Sequence, residues 1–88
     1  MRVWASIVKD NKSIARAKAA SQNSDLSEAL NECLEQIYKE LDLAEPVWVS
    51  KHAKELSRFS RTVFSPADFI EPVDFDRLEI KFSTTDYD

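Results

Sequence analysis

An apolar stripe between residues 25 and 43 constrains the fold of this chain more than any other feature of its sequence. Apolar side chains recur there at steps of three and four residues, at Leu26, Leu30, Cys33, Leu34, Ile37, Tyr38 and Leu41. This spacing places them on one side of an α-helix. The opposite side is mostly acidic, and Ser24 or Asp25 is suited to cap the first turn. The pattern predicts an amphipathic helix that buries its stripe against a β-sheet.

Two segments near the N-terminus predict a β-hairpin. Residues 2–9 and 13–20 flank Asp10-Asn11-Lys12, and Asp and Asn are the residues other than glycine that best tolerate left-handed turns. A two-residue loop groups six side chains on one face, namely Trp4, Ser6, Val8, Ala15, Ala17 and Ala19. The other face then holds Val3, Ala5, Ile7, Ile14, Arg16 and Lys18. The alternative is a helical second segment, because alanine is the best helix former.

The middle of the chain predicts shorter elements. Residues 46–50 have the pattern of a short strand or an extended link, and residues 61–64 that of a brief strand. Between them we expect a second, shorter helix that turns Ala53, Leu56 and Phe59 inward.

Together these elements predict an α+β fold with an N-terminal β-hairpin, a long amphipathic helix, a short second helix and a C-terminal strand. Residues 77–83 alternate strictly, as a half-buried antiparallel strand does. We expect a three- to four-stranded antiparallel sheet with the long helix packed on one face. The sheet residues that we expect the helix to meet are Trp4, Val8, Leu78, Ile80 and Phe82. Residues 1–83 form the predicted single domain, and residues 84–88 a frayed acidic tail.

The composition excludes several functions. The 88 residues include no glycine, which phosphate-cradling loops need, so a P-loop, a dinucleotide fingerprint and a standard EF-hand are absent. The single cysteine, Cys33, excludes an internal disulfide and a Cys-rich zinc site, and its place on the stripe predicts a buried, unreactive thiol. We expect no cofactor and no metal. No apolar run reaches the roughly 18 residues of a membrane span, so we expect a cytoplasmic protein without a membrane partner.

Two candidate sites for chemistry have simpler structural interpretations. Asp74 and Asp76 flank Phe75, and on a strand two such carboxylates can share a divalent cation. We interpret them instead as a turn before the last strand, in which Asp side chains bond their own backbone. His52, the only histidine, is a candidate general base, but on a charged helix we interpret it as a surface residue. We therefore expect that the protein is not an enzyme.

Basic and aromatic residues form the main candidate binding site. The candidate contacts for a partner or a nucleic acid are Lys51, Lys54, Arg58, Arg61, Trp48 and Phe59. A second basic group lies on the predicted hairpin, at Lys9, Lys12, Arg16 and Lys18. If the two groups adjoin, they are suited to bind a phosphate backbone. The alternative is that they neutralise the acidic helix or the acidic C-terminal segment.

Three segments of the chain, VWASIVKDNK, EPVW and FSRTVFSPADFIEPVDFDRLEI, resemble a group of short bacterial proteins of similar length. The resemblance covers nearly the whole chain and is most specific over residues 59–80. It implies a free-standing small bacterial protein. It implies no activity and no functional residue, because none is assigned to the group.

Three functions follow from these observations, in order of preference. The first is a non-enzymatic protein-interaction module of a bacterial cell, which binds a protein partner or a second copy through the sheet or an exposed aromatic patch. Its alternative is that all the aromatic rings fill the core. The second is a nucleic-acid-associated regulator that uses the basic run 51–61. The third is a small hydrolase or metal-dependent enzyme that uses His52 or the acids of residues 68–79.

Overall fold

Four strands and two helices follow one another along residues 1–84, the part of the chain that the computed structural model describes. The elements are β1 (Arg2–Lys9), β2 (Lys12–Ala20), α1 (Leu26–Leu41), α2 (Ser50–Phe59), β3 (Arg61–Phe64), a 3-10 turn (Pro66–Asp68) and β4 (Arg77–Ser83). The strands form one antiparallel sheet in the order β2-β1-β4-β3. The predicted α+β class is confirmed, with its hairpin, its helix on a sheet and its C-terminal strand. Apart from Thr84, the predicted tail lies outside the described residues.

The chain makes its left-handed turns without glycine. Asp10 and Asn11 both have positive φ, at 53° and 64°, as a two-residue type I′ hairpin turn requires. Asp42 ends α1 and Ser60 ends α2 in the same backbone region. Asn and Asp are the residues that enter this region most readily after glycine, so the predicted hairpin turn is confirmed.

The register of the hairpin differs from the predicted one. A β-bulge in β2 adds Ile14, so that Ile7 pairs with Ala15 across β1 and β2. A shift of one residue exchanges the two faces of β2 relative to β1. The alanines therefore share a face with Val3, Ala5 and Ile7, and their predicted grouping with Trp4, Ser6 and Val8 is wrong.

Helix α1 covers the alanine-bearing face of the sheet. The side chain of Asp25 caps it by accepting a hydrogen bond from the backbone N–H of Glu28 at 3.0 Å. Most of the predicted stripe is buried, although Leu26 in the first turn is 60% exposed. The small alanines let the helix lie close to β2 and β1. The predicted contacts of α1 with Trp4 and Val8 are wrong, because the register places both side chains on the opposite face.

Helix α2 packs beside β3 and turns His52 and Leu56 inward, four residues apart on one side. Ala53 and Phe59 are exposed, so their predicted inward positions are wrong. Ala53 lies on the solvent side of the buried pair, and Phe59 ends the helix just before the turn into β3. The predicted brief strand at residues 61–64 is confirmed. Within residues 1–84, neither α1 nor α2 is long and apolar enough to cross a membrane.

Candidate functional site

One face of the sheet carries no helix, and nearly all the charge of the sheet lies there. This open face comprises Arg2, Trp4, Ser6, Val8, Ser13, Arg16, Lys18, Arg61, Val63, Arg77, Glu79, Lys81 and Ser83. It holds six cations and one carboxylate, in a chain whose net charge is −4. Apart from Lys9 and Lys12 at its hairpin end, the covered face holds uncharged side chains, namely Val3, Ala5, Ile7, Ala15, Ala17, Ala19, Thr62, Phe64, Leu78, Ile80 and Phe82. The sheet therefore separates an apolar side from a basic one.

Trp4 lies at the centre of the open face. The strand register places Lys18 on one side of it and Lys81 on the other, and Arg61 follows on β3. Because neighbouring strands lie about 4.8 Å apart, these four residues form a row roughly 14 Å long. A shallow cavity of about 670 Å³ is lined by this row together with Ser6, Arg16, Glu40 and Glu79. The indole is partly exposed, as a surface that contacts a ligand requires.

The cations of this row differ from the other cations of the face in their partners. Arg77 Nε lies 2.7 Å from Oε2 of Glu79, and Arg16 Nε donates to Oγ of Ser13 at 3.0 Å. Within the part of the chain that the structure describes, Lys18, Arg61 and Lys81 have no carboxylate within 4.0 Å. Among the described residues no carboxylate forms an ion pair with these three side chains, and their positive charge attracts anions.

The predicted contact residues do not form one site. Lys51, Lys54 and Arg58 are exposed on α2, whereas Arg61 belongs to the open face. The two predicted basic groups therefore meet only in part, because Arg61 belongs to the same row as Lys18. The remaining two predicted contacts are aromatic, and they lie in different surroundings.

Trp48 is a core residue, not a surface contact. Its ring centroid lies 4.8 Å from that of Phe64, in an edge-to-face arrangement, and its indole N–H donates to the hydroxyl of Tyr38 at 3.3 Å. Burial raises the pKa of the Tyr38 hydroxyl to about 12, so it stays protonated. Phe59, in contrast, is 65% exposed. The aromatic rings are therefore neither all in the core nor gathered in one patch.

A second cleft of about 480 Å³ runs between α2 and the outer edge of β3. Its cationic and apolar lining residues are Lys51, Phe59, Arg61 and Val63. The other lining residues are Glu55, Thr62, Ser65 and Asp68. Because Arg61 lines both this cleft and the cavity over Trp4, the two depressions adjoin at that residue.

His52 is buried, with 1% of its surface exposed, so its predicted surface position is wrong. Its Nδ1 accepts a hydrogen bond from the backbone N–H of Val49 at 3.1 Å, and its Nε2 lies 3.4 Å from Oδ2 of Asp68. The imidazole packs against the ring of Phe64, with centroids 4.2 Å apart. Both ring nitrogens thus face groups of the protein itself. This side chain fixes the start of α2 and is closed to a substrate in this arrangement.

Asp68 is the carboxylate that faces this histidine. Burial acts to raise its pKa, but the hydrogen bonds from the backbone N–H and the hydroxyl of Ser65, together with His52, outweigh burial and lower the pKa. The ionised carboxylate therefore joins the 3-10 turn to α2. No local pattern in the sequence connects two residues sixteen positions apart.

Asp74 and Asp76 lie in a bend directly before β4, as predicted, but they bind the hairpin and not their own backbone. Asp74 Oδ1 lies 3.0 Å from Nζ of Lys9, and this contact raises the pKa of the lysine. Asp76 Oδ2 accepts a hydrogen bond from the backbone N–H of Asp10 at 2.8 Å. No cluster of His, Cys, Asp or Glu in residues 1–84 is suited to hold a metal ion.

Cys33 is fully buried on α1, as predicted. Burial raises the pKa of its thiol, which keeps it protonated and weakly nucleophilic.

No family model, no curated protein and no solved structure matches this chain. The resemblance to short bacterial proteins therefore stays a prediction.

Proposed function

We propose that this protein is a non-enzymatic module that binds single-stranded nucleic acid on its open sheet face. The charge of that face carries the proposal: six cations and one carboxylate are concentrated there, although the chain as a whole is acidic. Proteins bind phosphate backbones mainly through Lys and Arg side chains, whose contacts release counterions from the nucleic acid. An acidic protein that concentrates cations on one face directs a polyanion to that face.

Trp4 supports a single strand over a duplex as the ligand. Unpaired bases stack on aromatic side chains whatever their sequence, whereas the bases of a duplex are already stacked on each other. Lys18 and Lys81 lie on the strands to either side of Trp4, about 5 Å away on each side. A base stacked on the indole thus has a cation near each of its two flanking phosphates.

Like charges argue against a second copy as the occupant of this face. Two open faces packed together would bring twelve cations into one interface, at a cost in electrostatic repulsion. The preferred hypothesis from the sequence, a protein-interaction module, stays a prediction. Light scattering at several protein concentrations tests its homo-oligomer version, and a mass that remains that of one chain throughout counts against it.

The proposal is tested by fluorescence anisotropy with a labelled single-stranded oligoribonucleotide at low salt. The variant is Lys18→Gln/Lys81→Gln, which removes two cations that flank Trp4. We expect weaker binding and a smaller salt dependence, because each phosphate contact contributes about 0.7 to the slope of log K against log salt for single strands. The slope therefore falls by about 1.4.

The matched control is Lys12→Gln/Lys39→Gln, which makes the same change in net charge at two exposed lysines outside the open face. We expect this variant to bind with nearly the affinity of the wild-type protein and with the same slope of log K against log salt. Equal losses in both double variants, or no binding by the wild-type protein at micromolar concentrations and low salt, would contradict the proposal.

A further inference from the structure

We infer that the bound strand continues past the edge of the sheet and stacks a second base on Phe59. This inference depends on the proposed function, because it extends the same binding site. It assigns a role to the exposed ring of Phe59 and to the cleft between α2 and β3.

The cavity over Trp4 and the cleft beside α2 form one continuous surface. The two depressions share Arg61, which stands on the edge strand β3. Arg61 is two strands away from Trp4, or about 10 Å. A backbone that crosses the row from Lys18 towards β3 therefore arrives at the mouth of the second cleft.

Phe59 is the last residue of α2, and the left-handed backbone of Ser60 (φ 59°) turns the chain directly into β3. The ring is left 65% exposed at the rim of the cleft, and the core of the protein does not use it. A large exposed ring beside cations is the arrangement in which bases stack during binding of single strands.

The cleft holds two carboxylates and two cations. Its two carboxylates have partners in the fold: Glu55 accepts a hydrogen bond from the hydroxyl of Thr62 at 2.7 Å, and Asp68 accepts from Ser65. Its two cations, Lys51 and Arg61, have no carboxylate within 4.0 Å in residues 1–84. The cleft therefore offers two uncommitted cations beside the ring.

The experiment compares a short and a long single-stranded oligouridylate, of two and of ten nucleotides, by anisotropy at low salt. We expect the wild-type protein to bind the long oligomer more tightly, because only that one reaches both rings. Phe59→Ala should weaken binding of the long oligomer about 5- to 100-fold, the effect of losing one stacked base. It should leave binding of the short oligomer unchanged, whereas Trp4→Ala should weaken binding of both.

The matched control is Ile70→Ala, which removes an apolar side chain that is 87% exposed and lies outside both depressions. We expect it to bind both oligomers as the wild-type protein does. If the short oligomer binds through Trp4 but Phe59→Ala does not weaken binding of the long one, the second stacking position is wrong and the proposed function stands. If neither oligomer binds the wild-type protein, the proposed function fails as well.

Discussion

The two faces of one sheet differ in what their side chains contact: one packs against the helices and the other is exposed. Adjacent residues of a strand point to opposite faces, so Ile80 is buried under the helices while Lys81 is exposed on the open face. The covered face is apolar, and its small alanines let α1 lie close to it. The open face keeps its cations in water, where they contribute little to folding. The charges of the open face are therefore available to the ligand that we propose.

The two tryptophans differ in the same way as the two faces: one is in the core and the other is on the open face. Trp48 packs against Phe64 in the core and bonds Tyr38, so its removal should affect the fold. Trp4 lies between two lysines on the open face. A tryptophan in that position covers little of the core, yet it offers a broad aromatic surface to a ligand.

Truncating a buried side chain of the covered face should reduce stability more than any of the other substitutions. Ile80→Ala should lower the free energy of unfolding by about 2–5 kcal/mol, because it removes buried methyl groups and leaves a cavity in a packed core. The neighbouring change Lys81→Ala should alter it by less than about 0.5 kcal/mol, as exposed substitutions do. Urea unfolding of both variants measures the difference. Similar losses in the two would show that the faces do not differ as described.

A smaller effect concerns the polar contact on the covered side. Asp68→Asn should lower the free energy of unfolding by about 1 kcal/mol at neutral pH, because a charged acceptor forms a stronger hydrogen bond than a neutral one. The pKa of Asp68 is lowered in the folded protein, so its stabilising contribution is present above the unfolded pKa of about 3.9 and is lost as the pH falls through the folded value.

The corresponding measurement is urea unfolding of the wild-type protein and Asp68→Asn between pH 7 and pH 3. The difference in stability should shrink as the pH falls. A difference that stays constant over this range would argue against a stabilising role of the ionised carboxylate.

The smallest expected effect concerns the single carboxylate of the open face, Glu79. Glu79→Gln removes the one carboxylate of that face and should tighten binding of a single strand by up to about fivefold at low salt. The estimate follows from a unit charge about 4 Å away, which contributes about 1 kcal/mol in water. Stability should change little, since the Arg77–Glu79 ion pair is partly exposed. Weaker binding in this variant, measured by anisotropy, would place the ligand elsewhere.

Local patterns were enough to predict most of the fold. The stripe of α1, the left-handed turn at Asp10-Asn11 and the alternation of β4 each depend on residues that are close in the sequence. Each has a physical signature of its own: a helical period, a tolerance for positive φ and a period of two. These elements are present where the patterns indicate.

The candidate site depended on features without such a signature. The bulge at Ile14 is one extra residue with no distinctive composition, yet it places Arg16 and Lys18, and not the alanines, on the face of Trp4. The predicted register lacks the bulge. It therefore placed Trp4 in the core and did not reveal the basic row. His52 was misplaced for a related reason, because its partner Asp68 is distant in the sequence. The signs of the open face in the sequence were the alternation of Arg77, Glu79 and Lys81 and the basic residues of the hairpin.

NMR can follow the two indole N–H signals directly while single-stranded oligouridylate is added to the isotope-labelled protein. Binding on the open face should shift the signal of Trp4, together with the amides of Lys18 and Lys81. The signal of Trp48, whose N–H donates to Tyr38 in the core, should stay in place. Shifts confined to α1, or equal shifts of the two indoles, would contradict the account.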